Sequence, residues 1–482
     1  MSFLSPAYLL FFPCAALVYF LLPRRAQNPW LLAASWFFYL CAGPVYLVFL
    51  LFAVCSTYVT GLVLEGGGRK KGPLALCVVL NLGLLVVFKY LNFAISLAGR
   101  GLAALGLDFS APMLDLLLPA GLSFYLFQAV GYAVDVYRGK IPAQRSFLRH
   151  ALFLSFFPSL LSGPINRAGD LAPQFEQAHP FCYADLRAGL LRFLWGAFKK
   201  LVLADRLAVA VNTVFAAPHD FGALQVFAAA AAFSLQIYCD FSAYSDMALG
   251  SARMMGFRLR ENFRTPYFSQ SIQEFWRRWH ISLSSWFRDY LYIPLGGSRK
   301  GTGRKYLNVL VVFAVSGLWH GAALSFVVWG LLNGLYQVAG ALTAPARDAL
   351  RGAVGLREGR AATALWRIVW TFLLSTAAWV FFKAGSVAGA LDVFSAMLSG
   401  PLLTHPVTAV GLDRTELLCA ALGLLALLAV DVLSVRTDLV SRVLAAPRPA
   451  RWAVYLGLLL ATVIFGSYGA GYDAQNFIYF QF

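Results

Sequence analysis

Of 482 residues, 60% are hydrophobic and 13% are charged, with a formal net charge of +17. Charged residues reach about half the usual soluble share, so a string of soluble domains is excluded and the positive charge reads as a membrane topology signal, not a nucleic-acid one. The seven cysteines form no CxxC pair and mostly sit in apolar runs, which argues against a disulfide framework or a zinc site.

A membrane-crossing helix needs about 20 mostly apolar residues. In chain order the candidate runs are 7–22, 29–42, 44–64, 74–97, 114–137, 186–216, 222–250, 306–321, 322–343, 364–384, 415–433 and 452–468. The first has no basic stretch before it and no cleavage site leading into a soluble domain, so it reads as a retained span. Several runs are short, and the pairs 29–42/44–64 and 306–321/322–343 are expected as hairpins or broken helices. FFPSLLSGPINRAG, within 147–175, is expected to be re-entrant or interfacial, because irregular backbone at membrane depth needs cover from protein or water. The fold class is therefore all-α and polytopic, a single integral-membrane domain over 1–482. It has about 11 transmembrane helices, core motifs at 118–343 and C-terminal helices at 364–482.

Basic residues alternate between loops. Arg24/Arg25, Arg69/Lys70/Lys71 and Arg138/Lys140/Arg145/Arg149 lie in alternate loops, whereas 41–44 are uncharged and 98–112 hold only Arg100 and Asp108. Further on, 251–305, 344–367 and 434–451 are basic, while 385–414 and the tail from 466 are sparse. The positive-inside rule places the basic loops in the cytoplasm and both termini outside.

Polar residues gather in LQIYCDFSAYSDMALGSARMMG (235–256), where Gln236, Asp240 and Tyr244 share one helical face and Asp246 and Arg253 another. Buried carboxylates need partners, so these residues either line a polar passage or staple helices together, the second being favoured. In EFWRRWHISLSSWFRDYLYIPLGGSRKG (274–301), a helix over 274–291 would align Trp276, Trp279/His280, Leu283, Trp286/Phe287 and Tyr290. Arg277, Arg278, Arg288 and Asp289 fall off that stripe, and Glu274 and Arg278 form an i,i+4 pair. An interfacial helix fits this pattern, with Trp and Tyr at headgroup depth and His280 turned inward. The plain alternative is an anchor with one buried, hydrogen-bonded histidine.

SGLWHGAALSFVVWGLLNG (316–334) places His320 in an apolar run between Gly317 and Gly321. An ionisable residue at membrane depth points to function, and burial favours a neutral ring able to take a proton. A histidine bridging two helices is the competing explanation. His150, His179, His219 and His405 lie near segment ends and read as solvated. No HxxxH, HExxH, GxSxG or Walker pattern occurs, so a catalytic metal is not expected.

Taken in order, LPAGLSFYLFQAVGYAVDVYRG (118–139), FFPSLLSGPINRAGDLAPQF (156–175), IYCDFSAYSDMALGSARMMGF (237–257) and the two histidine blocks resemble the membrane-bound O-acyltransferase (MBOAT) family. The nearest branch is that of the bacterial alginate O-acetylation membrane subunit. The family's WHG histidine maps onto His320 and its WRRWH-type histidine onto His280. One departure is Leu324 and Ser325, where relatives often carry an aromatic.

The resemblance implies tilted and re-entrant helices around a central tunnel, in which a cytoplasmic thioester meets an acceptor presented from outside. Acetyl-CoA would be the donor substrate, with no bound cofactor or metal, His320 the general base and His280 its support. Asp240, Asn308, Trp319 and Trp276 are candidates for the tunnel wall. Arg277, Arg278, Arg288, Arg299 and Lys300, with Arg304 and Lys305, are candidates for the donor's phosphates, and the glycine turn of PLGGSRKG could add backbone N–H groups; topology signalling alone would also explain these charges. Implied partners are the lipid bilayer of a bacterial inner membrane, a periplasmic or membrane-anchored SGNH-type acetyltransferase and, indirectly, an exopolysaccharide such as alginate. Phe477 to Phe482 are placed at the partner's docking face, and no nucleic acid is implied. O-acetylation of peptidoglycan or cellulose, D-alanyl transfer to teichoic acid, and a transporter or scaffold without chemistry remain open alternatives.

Overall fold

A computed structural model describes every residue except 66–69, 108–113, 115–117, 354–358, 360 and 469–482. Arg69, Asp108 and the Phe477 to Phe482 docking segment lie outside the described residues. Among the described residues there is no strand. Seven helices among the described residues are long and apolar enough to cross a membrane: Tyr46–Glu65, Lys71–Ala104, Ala223–Met254, Leu324–Leu342, Ala361–Lys383, Arg414–Ser434 and Arg448–Phe465. Other expected spans form shorter helices, among them Pro6–Leu21 with 16 residues and Arg24–Leu40 with 17. The protein is thus a multi-pass, all-helical membrane protein.

The chain divides into two compact units, residues 1–190 with 248–260 and residues 191–247 with 261–482. In the first unit, α1 (Tyr46–Glu65), α2 (Leu122–Tyr137) and α3 (Phe147–Ser155) pack on one another. His150, on α3, is buried, with Nε2 2.9 Å from Thr57 Oγ1 on α1 and its ring 4.5 Å from that of Tyr132 on α2. It is not solvated as expected; α3 turns this face onto two helices that its sequence neighbours do not reveal. Residues 150–168 are buried without interruption, so the Pro- and Gly-bearing stretch has the protein cover that irregular backbone requires.

In the second unit the helices of the site are α4 (Ala223–Met254, which begins here), α5 (Ile272–Arg278), α6 (Ile281–Phe287), α7 (Thr302–His320), α8 (Leu324–Leu342) and α9 (Ala361–Lys383). The expected hairpin at 306–321/322–343 is present as α7 and α8. Its helices touch backbone to backbone: a Cβ on Gly317 would collide with Phe326 O, and one on Gly330 with Phe313 O. The expected span 186–216 is a continuous helical path with a π-helical segment at Lys199–Ala204. A π turn adds a residue to the circuit, and here both Lys199 and Lys200 are turned into the protein.

Candidate active site

The stretch 272–292 is not the single interfacial helix that its periodicity suggests. α5 ends at Arg278, α6 starts at Ile281, and a π turn follows over Arg288–Tyr292. Trp279 is extended and His280 adopts φ 44°, ψ 53°, the left-handed region. Among the described residues the one other non-glycine with positive φ is Thr265, at φ 43°. The segments carrying these residues pair with each other: Arg264 N–H donates to Arg278 O at 3.0 Å and Ile281 N–H to Asn262 O at 2.9 Å. Each left-handed residue costs about 1–3 kcal/mol and persists only where its surroundings enforce it. These pairings supply that enforcement and break the helix.

The stripe itself holds. Trp276, Trp279, His280, Leu283, Trp286 and Phe287 are buried, and Arg277 and Arg288 are exposed. Headgroup depth is corrected for Trp276 and Trp279, which pack inside protein. Trp276 Nε1 donates to Asn333 Oδ1 at 3.1 Å, and Trp279 lies 5.1 Å from Trp379 between ring centroids.

His280 is 0% exposed, and burial pushes its imidazole down to about 3, so the ring is neutral. Its Nδ1 is 3.1 Å from Asn262 Oδ1, and Phe241 of α4 meets the ring edge-on at 4.6 Å. His320, the last residue of α7, is 3% exposed. Its ring is 4.9 Å from Trp319, 4.9 Å from Trp329 on α8 and 5.6 Å from Phe382 on α9. Trp329 in turn stacks on Trp379 at 5.3 Å. Three helices thus surround His320 with aromatic rings. The two histidine centroids are 6.5 Å apart at 61°. Two imidazoles joined by a direct hydrogen bond sit closer than that, so neither histidine holds the other directly.

The other candidates divide. Trp319 and Trp276 stand with the histidines; Asp240 and Asn308 do not. Asp240 Oδ1 is 2.8 Å from Lys200 Nζ, which also reaches Asp205 Oδ1 at 2.7 Å. Asn308, twelve residues before His320 and so about 18 Å along the helix axis, donates to Gly297 O at 2.9 Å. It pins the PLGGSRKG turn, where positive φ at Gly296, Gly297 and Gly301 suits glycine. In that turn the N–H groups of Gly296, Gly297 and Arg299 already donate to Ile293, Tyr292 and Gly296 carbonyls, which counts against an amide cradle for an anion. Arg278 is paired with Glu274 at 2.6 Å, as its spacing suggests, and Arg288 with Asp289 at 2.9 Å. Arg277, Arg299 and Lys300 are exposed.

The remaining carboxylate of α4, Asp246, and Asp431 of the helix Arg414–Ser434 also find partners. Lys199 Nζ donates to Ser242 Oγ at 2.6 Å and Asp246 Oδ2 at 2.7 Å, and Arg192 Nε meets Asp246 Oδ1 at 2.9 Å. Tyr238 OH donates to Asp431 at 3.0 Å. Among the described residues no group of three or more His, Cys, Asp or Glu could hold a metal ion. Sequence reasoning missed Asn262, Phe241, Trp329, Trp379 and the lysine pair. Only the lysines carried a usable signal, as two charges inside the apolar run LWGAFKKLVLA.

A family model for the membrane-bound O-acyltransferases matches residues 141–382, which include both histidines. A Pseudomonas putida protein named "Probable alginate O-acetylase AlgI" is 39% identical over 404 residues, covering 83% of this chain and 80% of its own. The "Peptidoglycan O-acetyltransferase" of Helicobacter pylori is 34% identical, covering 82% of this chain and 79% of its own. The "Teichoic acid D-alanyltransferase" of Bacillus subtilis is 29% identical over 44% of this chain and 56% of its own.

Proposed function

Because the chain belongs to the membrane-bound O-acyltransferase family and is an O-acyltransferase of the membrane, we propose that it takes acetyl groups from cytoplasmic acetyl-CoA and passes them outward for O-acetylation of alginate. A periplasmic or membrane-anchored SGNH-type acetyltransferase receives the group and completes the transfer to the polymer. The membrane is the bacterial inner membrane, with both termini on the periplasmic side.

The observation that carries the reading is His320, buried at the end of α7 inside an aromatic surround, with His280 6.5 Å away. In the reaction, the acceptor hydroxyl gives its proton to a nitrogen of His320 while its oxygen attacks the thioester carbonyl carbon. The tetrahedral intermediate then expels the CoA sulfur, and the departing thiolate takes the proton from the imidazolium. A positioned base contributes about 10²–10⁴-fold; positioning of the thioester and stabilisation of the oxyanion supply the remainder. Trp319 and Trp276 shape the wall around the reacting atoms, and exposed Arg277, Arg299 and Lys300 attract the donor's phosphates.

The test is His320→Ala in the producing strain, with protein level measured. Acetyl content of the secreted polysaccharide falls to background if the reading is right. Unchanged acetylation at equal protein level sinks it and favours a transporter or scaffold. The Helicobacter relative covers the chain almost as fully as the Pseudomonas one, so peptidoglycan acetyl content is measured alongside; a fall there alone reassigns the polymer.

A further inference from the structure

The tautomer of His280 can be read from its neighbours. Asn262 is 0% exposed, and its Oδ1 meets three groups: the Ser282 backbone N–H at 3.2 Å, the Ser282 hydroxyl at 2.9 Å and His280 Nδ1 at 3.1 Å. A backbone N–H only donates, so the amide atom facing it is the oxygen; the flipped amide would set donor against donor. An oxygen at that distance from a ring nitrogen requires the nitrogen to carry hydrogen. Nδ1 is therefore protonated, and in the neutral ring the lone pair belongs to Nε2.

The same residue controls the backbone. Asn262 O accepts from Ile281 N–H at 2.9 Å, directly after the left-handed turn at His280. Side chain and main chain of Asn262 thus clamp both sides of a conformation that is costly on its own.

We propose that Asn262 is a positioning residue that locks His280 in the Nδ1–H tautomer, so that His280 presents Nε2 to substrate as an acceptor. This rests on the acyl-transfer reading and narrows it. His280 then does not polarise the thioester carbonyl, which would need a donor. It accepts a hydrogen bond from a substrate N–H or O–H and holds that group beside His320.

The test uses full-length protein in inverted membrane vesicles from a strain lacking the chromosomal copy, with CoA release from acetyl-CoA as the readout. Wild type is compared with Asn262→Leu, His280→Gln, the double variant and His320→Ala. Asn262→Leu lowers kcat about 10- to 100-fold, the usual scale for a residue that orients a functional histidine, and leaves KM for acetyl-CoA within about twofold. Residues acting as one unit are non-additive, so the double variant is no slower than the slower single one. Losses that multiply show a separate, structural role for Asn262 and overturn the inference. Asn262→Asp keeps an acceptor oxygen and retains kcat within about tenfold of wild type; an Asp protein that accumulates normally yet turns over no faster than His280→Gln overturns it too, even where the Leu protein fails to accumulate. A fully active His320→Ala has a different signature, because it removes the acyl-transfer reading itself and this inference with it.

Discussion

Lys200 Nζ sits 2.8 Å from Asp240 and 2.7 Å from Asp205, and all three side chains are buried. Removing the cation leaves two carboxylates facing each other without compensation, a loss of about 3–5 kcal/mol. Lys200→Met should therefore fail to accumulate or melt well below wild type in detergent. Asp240→Asn keeps the Lys200–Asp205 pair and loses less, with KM for acetyl-CoA unchanged. A raised KM at unchanged melting temperature would instead place Asp240 on the substrate path. His320 was legible from sequence because a histidine in an apolar run between glycines violates the local pattern. Asn262 was not, since RENFRTP reads as an ordinary polar loop and the residue matters only through contacts made eighteen to twenty positions later. His150 failed in the opposite direction: its place near a segment end suggested water, while Thr57 and Tyr132, far away in sequence, enclose it.

Elements were legible where composition forces geometry. The paired apolar runs 306–321/322–343 announced a hairpin, and α7 and α8 do press together, at Gly317, Gly321, Gly330 and Gly334. The 3.6-residue stripe over 274–291 correctly named the buried side but hid the break at His280, because a period reports which face is apolar and not whether the backbone hydrogen bonds continue. The glycine contact makes a test with a built-in control. A Cβ at Gly330 collides with Phe313 O, whereas one at Gly340, on the same helix, meets nothing. Gly330→Ala should cost about 1–3 kcal/mol by overpacking and move the α7 end that carries His320 away from Trp329, lowering both melting temperature and turnover. Gly340→Ala should leave turnover intact and gain about 0.5–1 kcal/mol from the lower chain entropy of alanine. Equal effects of the two substitutions would remove the hairpin contact as the device that sets His320.

For the whole molecule, the membrane sidedness follows from how charge is shared between loops. Residues 384–413, between α9 and the helix Arg414–Ser434, contain no Lys or Arg, whereas residues 435–451 contain Arg436, Arg442, Arg448 and Arg451. Lys and Arg near span ends resist translocation, so the charge argument puts the first loop outside and the second in the cytoplasm, the side proposed above for the thioester donor. Ser399 and Ser441 are exposed, one in each region, and serve as reporters once substituted. Several native cysteines are exposed, including Cys14, Cys41, Cys55 and Cys182, so both reporters require a cysteine-free background. In spheroplasts a membrane-impermeant maleimide should label Ser399→Cys and spare Ser441→Cys; inverted vesicles should reverse the pattern. Labelling of both from one face would contradict the charge argument, because the single apolar helix Arg414–Ser434 separates them. The reversed pattern would turn the exposed Arg299 and Lys300 to the outside, where no CoA thioester is made, and would end their assignment to the donor's phosphates while leaving the geometry around His320 unchanged.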